Sequence, residues 1–412
     1  MKSKVTYVSI DEATRKMLET VEIKPNFEVI PAYHAYGRVL SDDIVSEKNI
    51  PPRNKSHVDG YAVRSEDTVD ASKEKTAILK LKGKITLGDE AIYSLGKGET
   101  YEVSTGSYIP NGADAVVMIE VALRRNGTIT VHNPLRPGDN VTPQGSDIKK
   151  GDVILKKDHI IRSTDLGLFE IFNINNLKVI RKPVVAILSI GDELARQVER
   201  TGKPTTSHSI IISKLVEESY GLPRELGVAS DDVMEIRSRL EEGLATADIV
   251  LTIGGASIGE KDLVADTVSA IGGPGIVVHG IKVTPGRVSG LGVINAKPVV
   301  ILPGLIQSTI VGFYVFAMPL IRLMAGVKTS SPHCVKALIN KDVNFNRLIP
   351  FKHVTFVKLA EEKGKTLAEP LLGDSSMISV TIKADGFVLS PENTKFIKKG
   401  EEVNVLILHP LL

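Results

Sequence analysis

The residues best placed to do chemistry lie between Asp248 and Asp262. An apolar run with no polar helical face, Ile249, Val250, Leu251 and Ile253, gives way there to Gly254, Gly255, Ala256, Ser257, Ile258, Gly259, Glu260, Lys261 and Asp262. Such a run reads as a buried strand entering a backbone-rich loop. Glycines at that junction let main-chain N–H groups approach a ligand, and a helix starting after the loop aims its positive end at an anion. Glu260 and Asp262 place two acids beside the same point. Two unit charges about 4 Å apart interact by roughly 1 kcal/mol in water and about 4 kcal/mol at an effective dielectric of 20, so carboxylates beside a phosphate call for a divalent cation between them. The same residues also fit a plain helix start whose acids complement the dipole.

Two further loops repeat the pattern of strand, glycine and polar turn. Val184 to Leu188 is all apolar and leads through Ser189 to Gly191, Asp192 and Glu193; Pro298 to Leu302 leads to Pro303, Gly304 and Ser308. If these strands are parallel neighbours, the loops at Gly191, Gly254 to Gly259 and Gly304 converge on one ligand at the carboxyl ends of the strands. Asp192, Glu193, Ser257, Glu260, Asp262 and Ser308 then come within its reach. The turn Thr284, Pro285, Gly286, Arg287 adds a guanidinium suited to planar recognition of phosphate or carboxylate, unless Arg287 is a solvated loop charge.

The elements that must position these residues follow from the wider pattern. At 412 residues the chain is too long for one core, and about 150 residues per domain predicts roughly two to four domains. A 42% hydrophobic, 24% charged composition is that of a globular protein, and a net charge of +2 with no long basic run argues against nucleic acid. Cys334 is the only cysteine, which excludes an internal disulfide and a thiolate-rich metal site and suits a reducing cytoplasm. Neither a signal-peptide core nor a membrane span is expected: Ile310 to Gly326, carrying Pro319 and Arg322, falls short of the roughly 20 residues a span needs and reads as a buried helix.

Residues 1–45 read as largely helical, opening with Ser9 as a cap. Residues 46–140 read as an inserted β-rich domain, with strands at Tyr61 to Val63, Ile78 to Leu81, Tyr101 to Ser104, Ala115 to Ile119 and Thr128 to His132. Residues 141–179 return to the helical unit, and 180–326 form a doubly wound α/β domain. Residues 327–412 read as a small β module with strands at Phe351 to Leu359, Met377 to Ile382 and Glu402 to Leu408. The fold class is thus multidomain α/β and β.

In order along the chain stand SHVDGYAVR (56–64), Thr105-Gly106, Gly112 to Val117 with Glu120, GSDI (145–148), SIGDEL (189–194) and IGGASIGEKD (253–262), closed by Lys383 to Leu408. This succession resembles the molybdopterin molybdenumtransferases, the molybdenum insertases of the MoeA type, which include the C-terminal domain of gephyrin. The likeness covers nearly the whole chain, and six elements in order are far more specific than one glycine loop. It implies four domains per subunit and a homodimer whose cleft forms between the α/β domain of one subunit and the β-rich domain of the other. It also implies Mg2+-assisted cleavage of molybdopterin adenylate, release of AMP, and transfer of molybdate or tungstate to the pterin dithiolene, in company with other cofactor-biosynthesis proteins in the cytoplasm. By motif position Asp59, Asp147, Glu193 and Asp262 correspond to the cleft acids, with Glu193 and Asp262 holding the metal. Gly191, Asp192, Gly254, Gly255, Ser257, Gly259, Glu260, Pro285, Gly286, Arg287, Gly304 and Ser308 fall in the elements that would bind the pterin nucleotide.

The departures from the family pattern fall in the ligand loops. Tyr-Asp-Ser-Asn becomes Thr206-Ser207-His208-Ser209, so Ser207 replaces an acid. Lys-Pro-Gly-Lys-Pro becomes Thr284-Pro285-Gly286-Arg287-Val288, and Asn-Pro-Val-Ser becomes Leu305-Ile306-Gln307-Ser308. His208 is either a new phosphate or metal contact or a solvated loop histidine. Three activities are therefore compatible with the sequence: an active insertase, a divergent paralogue that binds a pterin nucleotide without inserting metal, and a phosphoanhydride hydrolase of another nucleotide.

Overall fold

In the computed structural model, which describes residues 6–256, 262–328, 333–345 and 350–408, the first helix spans Ile10–Thr20 and begins where its sequence predicts. Ser9 accepts a hydrogen bond from the Glu12 N–H at 3.1 Å, Asp11 and Glu12 occupy the first turn, and Ala13 and Met17 face the core. The chain divides into two compact units, one of residues 1–41, 160–163 and 176–412, the other of 42–159 and 164–175.

The first unit is built on a six-stranded sheet. Its elements in chain order are β1 (Val184–Ile190), α1 (Asp192–Thr201), α2 (Ser207–Glu218), β2 (Leu222–Ala229), α3 (Val233–Thr246), β3 (Ile249–Ile253), α4 (Leu263–Ile271), β4 (Pro274–His279), β5 (Gly290–Ile294), β6 (Lys297–Leu302) and α5 (Ile306–Gly312). The strand order is β2-β1-β3-β6-β5-β4. The first four strands run parallel, and β5 and β4 add antiparallel. All five residues of β3 are buried, as a strand covered on both faces requires. Alternate residues serve the two faces. Ile187, Leu251 and Val300 pack with Ile212, Val216 and Ile310 from α2 and α5. Leu188, Val250 and Ile301 pack with Ile236, Leu240 and Val268 from α3 and α4.

Beyond α5 the helix continues through a π turn at Phe313–Ala317 into Met318–Met324. The wider turn lets Pro319 follow without breaking the run. Ile306–Met324 is long and apolar enough to cross a membrane, yet most of it is buried inside the unit, with Phe313, Phe316 and Leu320 in the core. The C-terminal module closes on itself: Lys352–Glu362 pairs with Lys365–Pro370 and with Gly386–Leu389, while Cys334–Ile339 and Glu402–Ile407 complete the ring. Val283–Thr284 joins its edge beside Lys352 and His353.

The second unit holds the expected β-rich fold, a six-stranded sheet ordered Ala115–Met118, Gly60–Val63, Glu99–Val103, Ala77–Ile85, Thr128–Val131 and Ala122–Arg125. Its core is Tyr61, Val63, Leu79, Val117 and Ile129. The helix expected near Ser163 spans Ser163–Ile171.

Two segments differ from expectation. Phe27–Pro31 is a strand rather than helix, paired antiparallel with Asn176–Ile180; the spacing of Val29, Ala32 and Ala35 imitates a helix, but the partner strand lies far along the chain. Ile378–Lys383 is a short helix rather than a strand. The turn before it is set by Asp374, which accepts from the N–H and Oγ of Ser376 at 2.9 and 2.8 Å.

Candidate functional site

The three glycine loops meet at the carboxyl ends of β1, β3 and β6. Gly191 donates to the Ala229 carbonyl at 3.0 Å and Gly254 to the Leu302 carbonyl at 3.0 Å. Gly304 lies beside Gly254, where a Cβ on it would make an ordinary contact 3.6 Å from Gly254 Cα. Gly191 leaves room for the Glu193 carboxylate, whose Oε1 and Oε2 would stand 2.7 and 3.0 Å from any Cβ there. Ser257, Gly259 and Glu260 lie outside the described residues.

Around these loops are two cavities that share Glu193, Ala256 and Gly304. The first, about 390 Å3, is lined by Gly191, Glu193, Thr206, His208, Asp231, Gly254, Gly255 and Gly304. Its described charged side chains are carboxylates. The second, about 650 Å3, is lined by Glu193, Thr284, Pro285, Gly286, Arg287, Leu305, Ser308 and Ser375. Arg287 is the only cationic side chain among the described residues lining either cavity.

Each side chain is held by local chemistry. Thr206 caps α2 through a reciprocal box with Ser209, and its Oγ1 lies 3.2 Å from Ser189 Oγ. That box leaves Ser207 and His208 in the first turn, with Ser207 Oγ 3.2 Å from His208 Nδ1. Burial pushes the His208 imidazole below its ordinary pKa, which favours the neutral ring. Asp192 and Asp231 tie two strand ends together: Asp192 N–H donates to Asp231 Oδ2 at 3.2 Å and Asp231 N–H to Asp192 Oδ1 at 2.9 Å. The Arg287 turn closes on its own base, with Ile281 N–H donating to the Arg287 carbonyl at 3.0 Å. Gln307 holds the C-terminal module against the second cavity, its Nε2 donating to the Asp374 carbonyl at 2.7 Å and its N–H to the Ser375 carbonyl at 3.2 Å.

Asp262 is only 7% exposed and is engaged at both oxygens. Oδ1 accepts the Ala265 N–H at 2.9 Å, capping α4, and Oδ2 lies 2.9 Å from His279 Nε2. The hydrogen bond to Asp262 raises the His279 pKa, against the opposing effect of burial. In the second unit Asp59 is exposed and accepts the Thr105 N–H through Oδ1 at 2.7 Å. Asp147 is exposed on the turn that follows Gly145, its N–H donating to the Ile50 carbonyl at 3.1 Å.

Gly191, Glu193, Gly254, Gly255 and Gly304 are thus brought to one cavity, and Pro285, Gly286, Arg287 and Ser308 to its neighbour. Sequence reasoning missed Asp231, Gln307 and Ser375. Asp231 had a signal, because Asp232 is consumed as the cap of α3, accepting from Glu235 N–H at 2.9 Å, which leaves Asp231 at a strand end.

Three family descriptions match successive parts of the chain: MoeA N-terminal region (domain I and II) at residues 8–171, probable molybdopterin binding domain at 186–323, and MoeA C-terminal region (domain IV) at 344–408. A putative molybdopterin biosynthesis protein of Methanocaldococcus jannaschii is 32% identical, over 95% of this chain and 95% of its own. The chain belongs to the MoeA family. The molybdopterin molybdenumtransferase of Bacillus subtilis is 29% identical over 99% of this chain and 96% of its own. Among solved structures, a molybdopterin biosynthesis MoeA protein of Pyrococcus horikoshii superposes with a TM-score of 0.87 at 32% identity, covering 98% of this chain and 100% of that one. A MoeA-family fold therefore carries the two cavities. Leu305 is 48% exposed beside the second cavity, while Ile306 is buried in the core.

Proposed function

We propose that this chain is a molybdopterin molybdenumtransferase, which takes molybdopterin adenylate and molybdate or tungstate and releases AMP with the metal-loaded pterin. The observation that carries this reading is the pair of cavities joined at Glu193. The first offers the carboxylates of Glu193 and Asp231 and a neutral His208, groups that suit the N–H donors and ring acceptors of a heterocycle. The second offers Arg287, which suits a phosphate or a tetrahedral oxyanion.

Within this arrangement Gly254 and Gly255 let the backbone approach the nucleotide, Glu193 orients the attacking oxygen, and Arg287 stabilises charge gathering on the phosphate oxygens. Among the described residues no three His, Cys, Asp or Glu side chains come together to hold a metal. Mg2+ ordinarily takes one or two carboxylates and completes its shell with water and substrate phosphate, so Glu193 alone suits it here. Asp262 lines neither cavity, its oxygens meeting the Ala265 N–H and His279 Nε2. When bound, the cation would neutralise charge on the phosphoanhydride. A cytoplasmic homodimer, the participation of Asp59 and Asp147, and contact with other cofactor-biosynthesis proteins belong to the same proposal.

A second reading, a paralogue that binds the pterin nucleotide without inserting metal, is favoured by one observation. Thr284 and Leu305 line the second cavity and leave Arg287 as its one described cation. Incubation of the purified protein with molybdopterin adenylate, Mg2+ and molybdate or tungstate separates the readings. AMP with loaded pterin supports the insertase, AMP alone supports a hydrolase, and saturable binding without turnover supports the paralogue.

A further inference from the structure

We propose that Gln307 is a positioning residue of the second cavity: its side-chain amide holds the Asp374–Met377 turn of the C-terminal module in place, so that Ser375 lines the cavity together with Arg287 and Ser308. This inference rests on the functional reading above for the anion that the cavity receives.

Residues 372–379 are exposed except for the half-buried Ser375. The segment is anchored at its two ends. Leu371 N–H donates to the Phe356 carbonyl at 2.8 Å, and Val380 and Ala384 of the following helix pack in the core. Between those anchors, among the described residues, the segment's only hydrogen bonds outside itself and the following helix run to Gln307. The Gln307 Nε2 donates to the Asp374 carbonyl at 2.7 Å and, less closely, to the Met377 carbonyl at 3.4 Å, while its N–H donates to the Ser375 carbonyl at 3.2 Å. One residue thus meets three carbonyls of a four-residue turn.

The two sides of this contact differ in freedom. Gln307 stands in the first turn of α5, between Ile306, buried in the core, and Ser308, which lines the cavity, and is itself only 4% exposed. It cannot follow the turn. Asp374 and Met377 are exposed, so water takes the place of the amide at their carbonyls once the turn swings outward. Loss of the amide therefore leaves the fold standing and frees the turn. What is lost is the fixed place of Ser375, and with it one wall of the cavity that Arg287 shares.

The test compares the full chain with Gln307→Met, which keeps the length and bulk of the side chain without its donor, and Gln307→Glu, which keeps the shape and turns a carboxylate toward the carbonyls. Hydrogen exchange is followed in peptides covering 305–309, 371–379 and, as a control, the buried strand β3, and the affinity for molybdate is measured by equilibrium dialysis. The expected result in both variants is faster exchange at 305–309, where the Gln307 N–H loses the Ser375 carbonyl, and at 371–379, with β3 unchanged. Molybdate should bind about tenfold more weakly. Ser375→Ala should weaken binding in the wild-type background and add less than about twofold in Gln307→Met, because the turn has already left the cavity. Should Gln307→Met not fold, Gln307→Glu carries the same comparison. Wild-type exchange and affinity in the variants would overturn the proposal. So would fully additive effects of the substitutions at Gln307 and Ser375, and so would loosening that spreads equally to β3. Should the wild-type chain bind no molybdate, the functional reading fails by itself, and the exchange pattern still decides whether Gln307 holds the turn.

Discussion

The carbonyl oxygen of Ile190 occupies the place that a Cβ on Gly254 would need. Gly254 also has φ +90°, in the region that L side chains rarely adopt. Both facts follow from the way β1 and β3 end side by side, and together they make the residue irreplaceable. Gly254→Ala is expected to destabilise the fold by about 3 kcal/mol or more, combining overpacking with backbone strain. A chemical denaturation midpoint within error of wild type would contradict this close approach.

The entrance to β3 is held by charge rather than by apolar packing. Arg181 makes two hydrogen bonds to Asp248, at 2.8 and 2.9 Å, and Asp248 Oδ2 also accepts the Val184 N–H at 2.7 Å. The pair is about a third exposed, so solvent weakens it. Asp248→Asn is expected to cost about 1–2 kcal/mol in stability while leaving nucleotide affinity unchanged, since the pair lies at the opposite end of the strand from the cavities. Calorimetric unfolding and a binding titration on the same preparation check both halves of that statement.

Arg287 is expected to act through geometry as well as charge. Arg287→Ala should raise KM for molybdopterin adenylate by about tenfold to a hundredfold, and Arg287→Lys should recover only part of it, because an ammonium cannot make the paired contacts of a guanidinium. Equal kinetics for the lysine variant and wild type would reduce Arg287 to a simple point charge.

His208 gives a pH signature with a defined sign. Its pKa is lowered from 6.5 by burial, so between the folded and unfolded values the folded state holds fewer protons. Stability linked to this group is full above the unfolded value and falls away as pH drops from there through the folded value. Melting temperatures measured from about pH 7.5 to about pH 5 should therefore decline more steeply for wild type than for His208→Asn. Parallel curves would show that the imidazole titrates as freely folded as unfolded.

Much of this site is legible in the sequence because its logic is local. Ile249 to Ile253 is wholly apolar because β3 is buried on both faces, and an abrupt glycine pair after it marks the strand's end. The same signature at Gly191 and Gly304 predicts convergence, which the parallel order of β1, β3 and β6 delivers. What escapes sequence reasoning is non-local. Ser375 reaches the second cavity only because Gln307 pins a turn 67 residues away, and nothing near either residue announces the partnership. His279 is an ordinary strand-end histidine until the fold sets it against Asp262. The strand Phe27–Pro31 is likewise fixed by a partner that arrives with Asn176–Ile180.

Glu193 stands where the two cavities meet, on a helix start whose preceding glycine makes room for its carboxylate. The most direct test is the turnover of Glu193→Gln, following AMP release and metal-loaded pterin in one reaction beside wild type. The account predicts that both products fall together by about a hundredfold or more, with the melting temperature unchanged because the side chain is exposed. Wild-type yields of both products from Glu193→Gln would contradict the placement of the reaction in this cleft.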